Sequence, residues 1–332
     1  MLRIKARKSG KEPTLPCRRA KLEWSMPRPL VECVPNFSEG RDAAKIDSIV
    51  QSIEAVPEIV LLDRESDADH NRCVLTFAGP PAAVAEAAFR SVERAAALID
   101  LTKHQGAHPR MGAADVLPFI PIEGVTLDDC AKIAERVAHE IWNRLRIPVY
   151  LYGAAARRPE RVNLENIRRG QFEALLAEMG TVPERDPDIG APVCHPTAGA
   201  VAVGARKFLI AYNINLGTSD VAVANRIART IRFSSGGFRC VKAMGVMLAS
   251  RNLAQVSINL TDFEVTPMHV VFEAVRREAE RYGAPVVGTE IVGLIPRKAF
   301  EMSAEYFRRY GDLRPEAVLE DRIAEASGLR QK

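Results

Sequence analysis

The 332-residue chain has few aromatic side chains, few histidines and no long apolar run. Aromatic residues make up 6% of the sequence, and six histidines are present. No apolar run approaches the roughly 18 residues that a membrane-spanning helix needs, which argues against a membrane protein. The six cysteines form neither a CxxC pair nor a zinc-binding spacing. We therefore expect reduced thiols and a cytoplasmic protein.

The net charge of +4 does not come from a sustained run of Lys and Arg, except near the N-terminus. Nucleic-acid-binding domains usually carry a basic block or face, so this pattern argues against a nucleic-acid partner. It leaves room for a local basic pocket that attracts a small anionic ligand. The length allows one large domain or two modest ones, and we expect two.

Residues 1–27 are basic and polar, contain proline and lack the apolar core of a secretory signal. They predict a flexible basic tail. Because Met26 directly precedes the first stretch with folded periodicity, translation beginning at Met26 is a further hypothesis.

Hydrophobic periodicity predicts the order strand, helix, strand, strand, helix, strand between Leu30 and Ile122, and again between Phe208 and Ile291. Asp42 is the expected N-cap of the first helix. Two rounds of one topology predict an α+β protein made of two ferredoxin-like (βαββαβ) subdomains, each with an antiparallel sheet covered by helices on one face. Packing the two uncovered faces against each other, or against the intervening helices, would leave a ligand cleft or tunnel. Between the rounds we expect a helix, a strand and a basic helical piece around Arg168.

The segment from Lys103 to Asp115 holds the most distinctive chemistry. Gly106, Pro109 and Gly112 prevent a regular helix, so this segment is a shaped loop between a helix and a strand. Histidine titrates near neutral pH and can both take and return a proton, which makes His108 a candidate acid and base.

Three interpretations of this loop stay open. Arg110 could hold an anionic substrate group beside His108. His108 could instead be tied to a backbone carbonyl without a chemical role. His104, His108 and Asp115 could form a metal site, although two histidines four residues apart converge on one ion on a helix and not on a broken loop.

Residues 186–199 contain three prolines and two glycines and could form either a linker or a binding loop. We predict a binding loop, because the small apolar residues from Ala198 to Gly204 would let a planar ligand approach the backbone.

Several longer stretches carry a resemblance to a known family. They are LVECVPNFSEG from Leu30, HPRMG from His108, VYLYG from Val149, GARKFLIA from Gly204 and NLAQVS from Asn252. Together they make the chain resemble the glutamate formimidoyltransferases, a family that includes the transferase half of formiminotransferase-cyclodeaminases. The resemblance runs from about residue 30 to about residue 300.

The resemblance implies transfer of a formimino group from N-formimino-L-glutamate to N5 of tetrahydrofolate, a step in histidine degradation. It implies an N-terminal subdomain of residues 28–206, a C-terminal subdomain of residues 207–325, folate in a tunnel between them, and a homodimer. The family's catalytic histidine falls on His108. Its folate-binding segment falls on Gly190, Ala191, Pro192, Val193, Cys194, His195, Pro196, Thr197, Ala198 and Gly199, although His195 could be incidental.

That chemistry needs groups that stabilise positive charge on the reacting amidine, and carboxylates suit this task. Asp63 and Glu65, together with Asp67, are the candidates, and a solvated acidic loop is the alternative. Substrate carboxylates suit guanidinium groups, for which the candidates are Arg110, Arg72 and Arg206, with Lys207 beside the last. Arg206 and Lys207 could instead be strand-edge charges.

Two amides and two carboxylates complete the candidates. Asn36 and Asn71 could bind substrate carboxylates or the pterin ring, or Asn36 could build its turn. Asp262 and Glu264 could cap a turn or face the cleft.

These expectations define an enzyme with small-molecule substrates, tetrahydrofolate as co-substrate, no metal, no nucleic acid and no membrane partner. Three alternatives remain. The donor could be 5-formyltetrahydrofolate or formiminoglycine. The chain could be a non-catalytic folate-binding module. The histidine loop could belong to a metallohydrolase.

Overall fold

A computed structural model describes residues 29–310 and 315–326. The predicted tail of residues 1–27 and the proposed start at Met26 lie outside the described residues. None of the described helices combines the length and the apolar composition of a membrane span.

The first half of the chain contains seven strands and five helices among its described residues. They are β1 (Leu30–Cys33), β2 (Asn36–Phe37), α1 (Ala43–Glu54), β3 (Val60–Asp67), β4 (Arg72–Gly79), α2 (Pro81–Leu98), β5 (Ala114–Glu123), α3 (Leu127–Leu145), β6 (Val149–Gly153), α4 (Leu164–Arg168), α5 (Gln171–Glu178) and β7 (Val201–Ala205). The side chain of Asp42 accepts hydrogen bonds from the backbone N–H groups of Ala44 and Lys45, which confirms the predicted cap of α1.

The second half continues with β8 (Ile210–Leu216), α6 (Val221–Ile231), β9 (Val241–Leu248), β10 (Leu253–Leu260), α7 (Met268–Arg281), β11 (Val286–Val292), α8 (Arg297–Tyr310) and α9 (Leu319–Ala326). Both halves therefore carry the predicted order of strand, helix, two strands, helix and strand, within a mixed α and β fold of two sheets. Helices α8 and α9 follow the repeated unit and were not predicted.

In the first sheet β4 lies between β3 and the interrupted strand formed by β1 and β2, which pairs in turn with β5. These pairings are antiparallel, as predicted. The prediction of a purely antiparallel sheet is nevertheless wrong, because β7 and β6 extend it beyond β5 as parallel strands. Val201–Ala205 is thus a fully buried strand and not an open stretch for a ligand. Parallel strands are covered on both faces, so their sequences show a short apolar run without alternation.

The second sheet has the order β11, β8, β10, β9, and all its pairings are antiparallel. Because side chains alternate along a strand, β10 turns Val256 and Ile258 into a core with the helices. Gln255 lies on the opposite face, opposite Asn215 of β8, and donates to its side-chain oxygen at 3.0 Å.

The two halves are in direct contact. Glu32 and Thr76 of the first sheet, together with Arg206, line a cavity of about 30 Å³ whose other wall includes Val292 and Gly293. That volume holds about one water molecule. The face of the first sheet that meets the second half is therefore the one opposite α1, α2 and α3. The prediction that helices cover only one face of this sheet is wrong, because α4 and α5 pack on the same opposite face over β5, β6 and β7.

Polar contacts join the halves at three further places. Ser250, after β9, binds the side chain of Asp69 in the turn between β3 and β4. Lys242 of β9 pairs with Glu165 of α4 at 2.7 Å. Arg322 of α9 donates to the carbonyl of Leu62.

A candidate active site around His108

The loop that carries His108 is held by the turn between β3 and β4. Ala107 N donates to Asp69 O at 3.1 Å, and the side chain of Asn71 donates to Gln105 O at 2.9 Å. His104 Nε2 lies 2.9 Å from Asn71 O. This carbonyl can only accept, so the contact assigns the proton of His104 to Nε2.

Glycine is needed where the loop meets the turn. A Cβ at Gly106 would overlap the carbonyl of His70, so the backbone can approach this closely only without a side chain. The Asn71 side-chain oxygen also accepts from Gly40 N at 2.9 Å. The predicted site residue Asn71 therefore uses both ends of its amide to fix the backbone around His108.

His108 sits between a hydrogen-bond acceptor and a cation. Its Nδ1 lies 2.7 Å from Pro109 O and 2.8 Å from Arg72 Nη1. A carbonyl only accepts and a guanidinium only donates, so the two contacts ask for opposite protonation states at this nitrogen. Burial, together with the charges of Arg72 and Arg168, lowers the pKa of His108 to about 2. The imidazole is therefore neutral at physiological pH.

Arg72 is the centre of a buried charge network. Its Nη2 binds Asp115 Oδ2 at 3.1 Å, and its Nε donates to the side-chain oxygen of Asn36 at 2.9 Å. Arg168 Nη2 binds the same oxygen of Asp115. Although burial alone would raise the pKa of Asp115, Arg168 and Arg72 hold it below its ordinary value. A fully buried carboxylate thus stays ionised between two guanidinium groups.

The predicted acidic cluster lies on a strand and not on a loop. The alternative of a solvated acidic loop is wrong, because β3 runs on to Asp67 and pairs with β4 up to Arg72. In that register Asp63, Glu65 and Asp67 lie opposite Thr76, Val74 and Arg72. Alternate residues of a strand share a face, so the three carboxylates form a row on the face that carries Arg72.

The two ends of this acidic row differ. Asp63 has a buried Oδ2 without a hydrogen-bond partner, and burial raises the pKa of its carboxyl. Asp67 Oδ1 accepts from His70 N at 2.7 Å and lies 3.0 Å from His70 Nδ1. The ring of His70 lies 6.1 Å from that of His108. His70 is not among the site residues predicted from the sequence.

Arg110 directs its guanidinium toward α5. Nη1 and Nη2 bind the two carboxylate oxygens of Glu173 at 2.8 and 2.6 Å, and Nη1 also donates to Gln171. Nε donates to Nδ1 of His104 at 3.2 Å, so both nitrogens of His104 contact protein groups. Within the described residues, no group of three or more His, Cys, Asp or Glu side chains is arranged to hold a metal ion.

The predicted folate segment begins at Gly190, beside the Trp142 ring, and ends in a tight turn behind the His108 loop. His195 and Gly199 exchange two backbone hydrogen bonds, and Ala113 N donates to Ala198 O at 2.9 Å. A Cβ at Gly199, whose φ is +71°, would overlap Met111 O. The middle of the segment is open, and Val193 is 66% exposed.

His195 serves this turn with its ring. Nδ1 accepts from Ala198 N at 3.0 Å, and burial lowers the pKa of the imidazole. This contact favours the interpretation of His195 as a structural residue.

Arg206 lies further along the first sheet than His108. Its backbone N donates to the carbonyl of Phe119, which lies four residues beyond Asp115 on β5, or about 13 Å at the usual strand rise. Its side chain lines the cavity between the halves together with Glu32. Burial raises the pKa of Glu32 to about 7, an effect that the nearby charge of Arg206 opposes.

Lys207 and the two carboxylates after β10 form surface contacts. Lys207 pairs with Asp262 at 3.0 Å, and Asp262 Oδ1 also accepts from Glu264 N, which favours the turn-capping interpretation. Glu264 pairs with Lys298 of α8.

Comparison with known proteins assigns both halves of the chain. Residues 30–206 match the N-terminal subdomain of the formiminotransferase domain, and residues 211–323 match the formiminotransferase domain itself. Among solved structures, the periplasmic protease PqqL from Escherichia coli aligns over 84% of this chain and 36% of its own at 8% identity, with a TM-score of 0.19. That score is too low to indicate a shared fold.

Curated relatives extend the match. The glutamate formimidoyltransferase of Streptococcus pyogenes serotype M1 is 47% identical over 85% of this chain and 94% of its own length. The glutamate formimidoyltransferase of Thermoplasma acidophilum is 41% identical over 90% and 99% of the two chains. The formimidoyltransferase-cyclodeaminase of Rattus norvegicus is 47% identical over 84% of this chain but only 52% of its own. The chain therefore spans about half of that two-activity relative, and it belongs to the formiminotransferase family.

Proposed function

We propose that this protein is a glutamate formimidoyltransferase that moves the formimino group of N-formimino-L-glutamate to N5 of tetrahydrofolate. The products are 5-formimidoyltetrahydrofolate and L-glutamate, in the degradation of histidine. Two relatives that carry this activity in their names match over nearly their whole lengths. The observation that carries the proposal is the position of His108, whose Nδ1 is held between Arg72 and Pro109 O.

His108 moves the proton in this reaction. The N5 amine loses a proton as it attacks the amidine carbon, and the nitrogen of the departing glutamate gains one. One histidine can take the first proton and return it for the second step. Pro109 O accepts a hydrogen bond from Nδ1–H of the protonated ring, while Arg72 repels its charge. The imidazolium is therefore short-lived and gives up its proton readily.

The acidic row supplies the opposite charge. Asp63 and Glu65 stabilise positive charge on the reacting amidine, because charged groups fixed before the reaction need no reorganisation during it. Two buried oxygens without hydrogen-bond partners, Asp63 Oδ2 and Thr76 Oγ1, lie opposite each other in the β3–β4 register.

Folate lies in this proposal along the contact between the halves. The Gly190–Gly199 segment packs behind the His108 loop, and Arg206 lies at the far end of the same sheet. Arg206 is placed to bind a carboxylate of the folate tail. Asn36 and Asn71 support the site through Arg72 and the loop backbone, because their amides already bind protein groups.

The proposal also covers the cellular location and the oligomeric state. We infer a cytoplasmic location, which the free thiols of all five described cysteines support. We also infer a homodimer, which rests on the family resemblance. Light scattering that gave the mass of a single 36.5 kDa chain at working concentration would reject the dimer.

The test is a transfer assay with purified protein, tetrahydrofolate and N-formimino-L-glutamate. We expect 5-formimidoyltetrahydrofolate and L-glutamate in equal amounts. His108→Ala should lower kcat by about 10²- to 10⁴-fold while leaving tetrahydrofolate binding nearly unchanged. The exposed His139→Ala is the matched control and should keep full activity. Absence of product with the unaltered protein would refute the proposal, and full activity of His108→Ala would refute the mechanism.

A further inference from the structure

Three arginines surround the His108 loop, and two of them are committed to protein partners. Arg72 donates from Nε to Asn36, from Nη1 to His108 and from Nη2 to Asp115. The guanidinium of Arg110 donates hydrogen bonds to Glu173, Gln171 and His104. Neither side chain can turn to a substrate without giving up several hydrogen bonds.

Arg168 differs from both. Among the described residues, Asp115 is the sole hydrogen-bond partner of its guanidinium, which has five N–H donors. Its Nε is buried and has no partner. A buried donor without a partner is costly and calls for an explanation. With 16% of its side chain exposed, the guanidinium can still be reached from the site.

Helix α4 holds Arg168 in a fixed place. Arg185 donates to the carbonyls of Ile167 and Arg169, the residues on either side of Arg168, at 3.0 and 2.9 Å. Glu165, one turn earlier, pairs with Lys242 of the second half. Spare donors on a fixed guanidinium form a prearranged site for an anion.

The charges around Arg168 also favour an anionic ligand. Asp115 offers one negative charge, and its Oδ2 is shared by Arg72 and Arg168. Arg72 and Arg168 together carry two positive charges, so Asp115 balances only one of them. A carboxylate is the anion whose geometry best fits a guanidinium edge.

We propose that Arg168 binds a carboxylate of the donor amino acid beside His108. This inference rests on the proposed function, because it names the group that selects a dicarboxylic donor. Bound there, the carboxylate partly cancels the positive charge that faces the imidazole. The charged and titratable groups around His108 are Arg72 from β4, Arg168 from α4, Asp115 from β5 and His70 from the turn before β4. Donor binding thus makes His108 a stronger base when a proton must be taken.

The test removes the interaction from both sides. Steady-state kinetics are measured with N-formimino-L-glutamate and with two analogues in which either the α- or the γ-carboxylate is an amide. In the unaltered protein, we expect one of the two amides to lower kcat/KM by about 10- to 100-fold, the usual range for a lost charged hydrogen bond. In Arg168→Gln the same amide and the parent donor should react with similar kcat/KM, and the KM for tetrahydrofolate should stay within about twofold.

Arg169→Gln is the matched control, since its exposed side chain lies next to Arg168 in the chain, and it should keep the full discrimination. Arg168→Lys retains the positive charge and should keep part of the discrimination between the parent donor and its amide. This variant carries the test if thermal unfolding shows that Arg168→Gln does not fold. Undiminished discrimination in these variants, or a loss confined to the KM for tetrahydrofolate, would overturn the role of Arg168. Lack of transfer by the unaltered protein would instead refute the proposed function.

Discussion

Arg72 places a permanent positive charge 2.8 Å from Nδ1 of His108. The guanidinium donates to the neutral ring and repels the protonated one, so Arg72, 36 residues away in the chain, adds to the effect of burial in keeping His108 neutral. The remaining contacts of Arg72 with Asn36 and Asp115 keep this arrangement rigid.

Replacing Arg72 should therefore change the titration of His108. The pKa of His108 lies at about 2, far below its unfolded value, owing to burial and the two arginines. In Arg72→Gln we expect the pKa to rise toward the ordinary value of about 6.5. Nuclear magnetic resonance of the ring protons should show no titration of His108 between pH 5 and 8 in the unaltered protein and a titration moved to higher pH in the variant. The variant should also gain an acidic limb in its pH profile of kcat/KM.

The free energy of unfolding should also depend on pH, because the pKa of His108 differs between the folded and the unfolded chain. Because folding lowers the pKa of His108, the unfolded chain binds the extra proton first as the pH falls. The stability that the neutral ring contributes is complete above about pH 6.5 and declines below it. Arg64→Gln, an exposed arginine of β3, is the control and should leave both the titration and this decline unchanged. An unaltered titration of His108 in Arg72→Gln would show that burial alone sets its pKa.

Asp115→Asn should be among the most destabilising single changes in the first half. Asp115 is completely buried and is the shared partner of two arginines, so its neutralisation leaves uncompensated positive charge. Breaking a buried ion pair costs about 3–5 kcal/mol, whereas the exposed pair of Asp128 with Lys132 contributes less than about 1 kcal/mol. Urea unfolding of Asp115→Asn and of the control Asp128→Asn measures the difference. Equal midpoints for the two variants would show that the network does not stabilise the fold.

Position 199 should require glycine for two reasons, the positive φ of the backbone and the lack of space for a Cβ. Gly199 and Gly236 both have positive φ, but a Cβ at Gly199 would overlap Met111 O, while nothing lies within 4 Å of one at Gly236. Gly236→Ala should cost about 1 kcal/mol from strain alone. Gly199→Ala should cost more and also reduce transfer, because it displaces the strand entry behind His108. Equal losses of stability and activity in the two variants would contradict this assignment.

Glu32→Gln should stabilise the protein at alkaline pH. Burial raises the pKa of Glu32 to about 7, so folding favours the protonated carboxyl, and stability falls as the pH rises from about 4.5 to 7. A shift of this size corresponds to at most about 3–4 kcal/mol. The variant should unfold at a higher temperature than the unaltered protein at pH 8 and at the same temperature at pH 4.5. The exposed Glu123→Gln is the control. If Glu32→Gln changed the unfolding temperature no more than this control at pH 8, ionisation of Glu32 would not destabilise the folded protein.

Local patterns predicted the elements whose signals lie within one segment. Helix α3 is the helix expected between the two rounds, and a capping box at Thr126 and a strong apolar stripe define it locally. The six elements of each βαββαβ unit were found for the same reason. The length of β3 and the position of β7 depend on pairing with distant strands, and local composition does not report that pairing.

The candidate site shows the same limit. The loop around His108 was recognisable, because glycine and proline interrupt the pattern among charged residues. The link between Asp115 and Arg168 joins residues 53 positions apart, and only the folded chain brings α4 onto the start of β5. The partners of Arg110 and Asn71 were hidden for the same reason, since a charge or an amide in a sequence does not name what it binds.

The most direct test of the account is a crystal structure of the protein with tetrahydrofolate bound, in which the distance from N5 to the ring of His108 is measured. Proton transfer in the proposed reaction requires that distance to be about 3 Å, or one bridging water. N5 at this distance from a ring nitrogen, with the pterin between the two halves, is the predicted result. A pterin bound elsewhere, with N5 beyond the reach of one water from His108, would contradict both the assigned site and the mechanism.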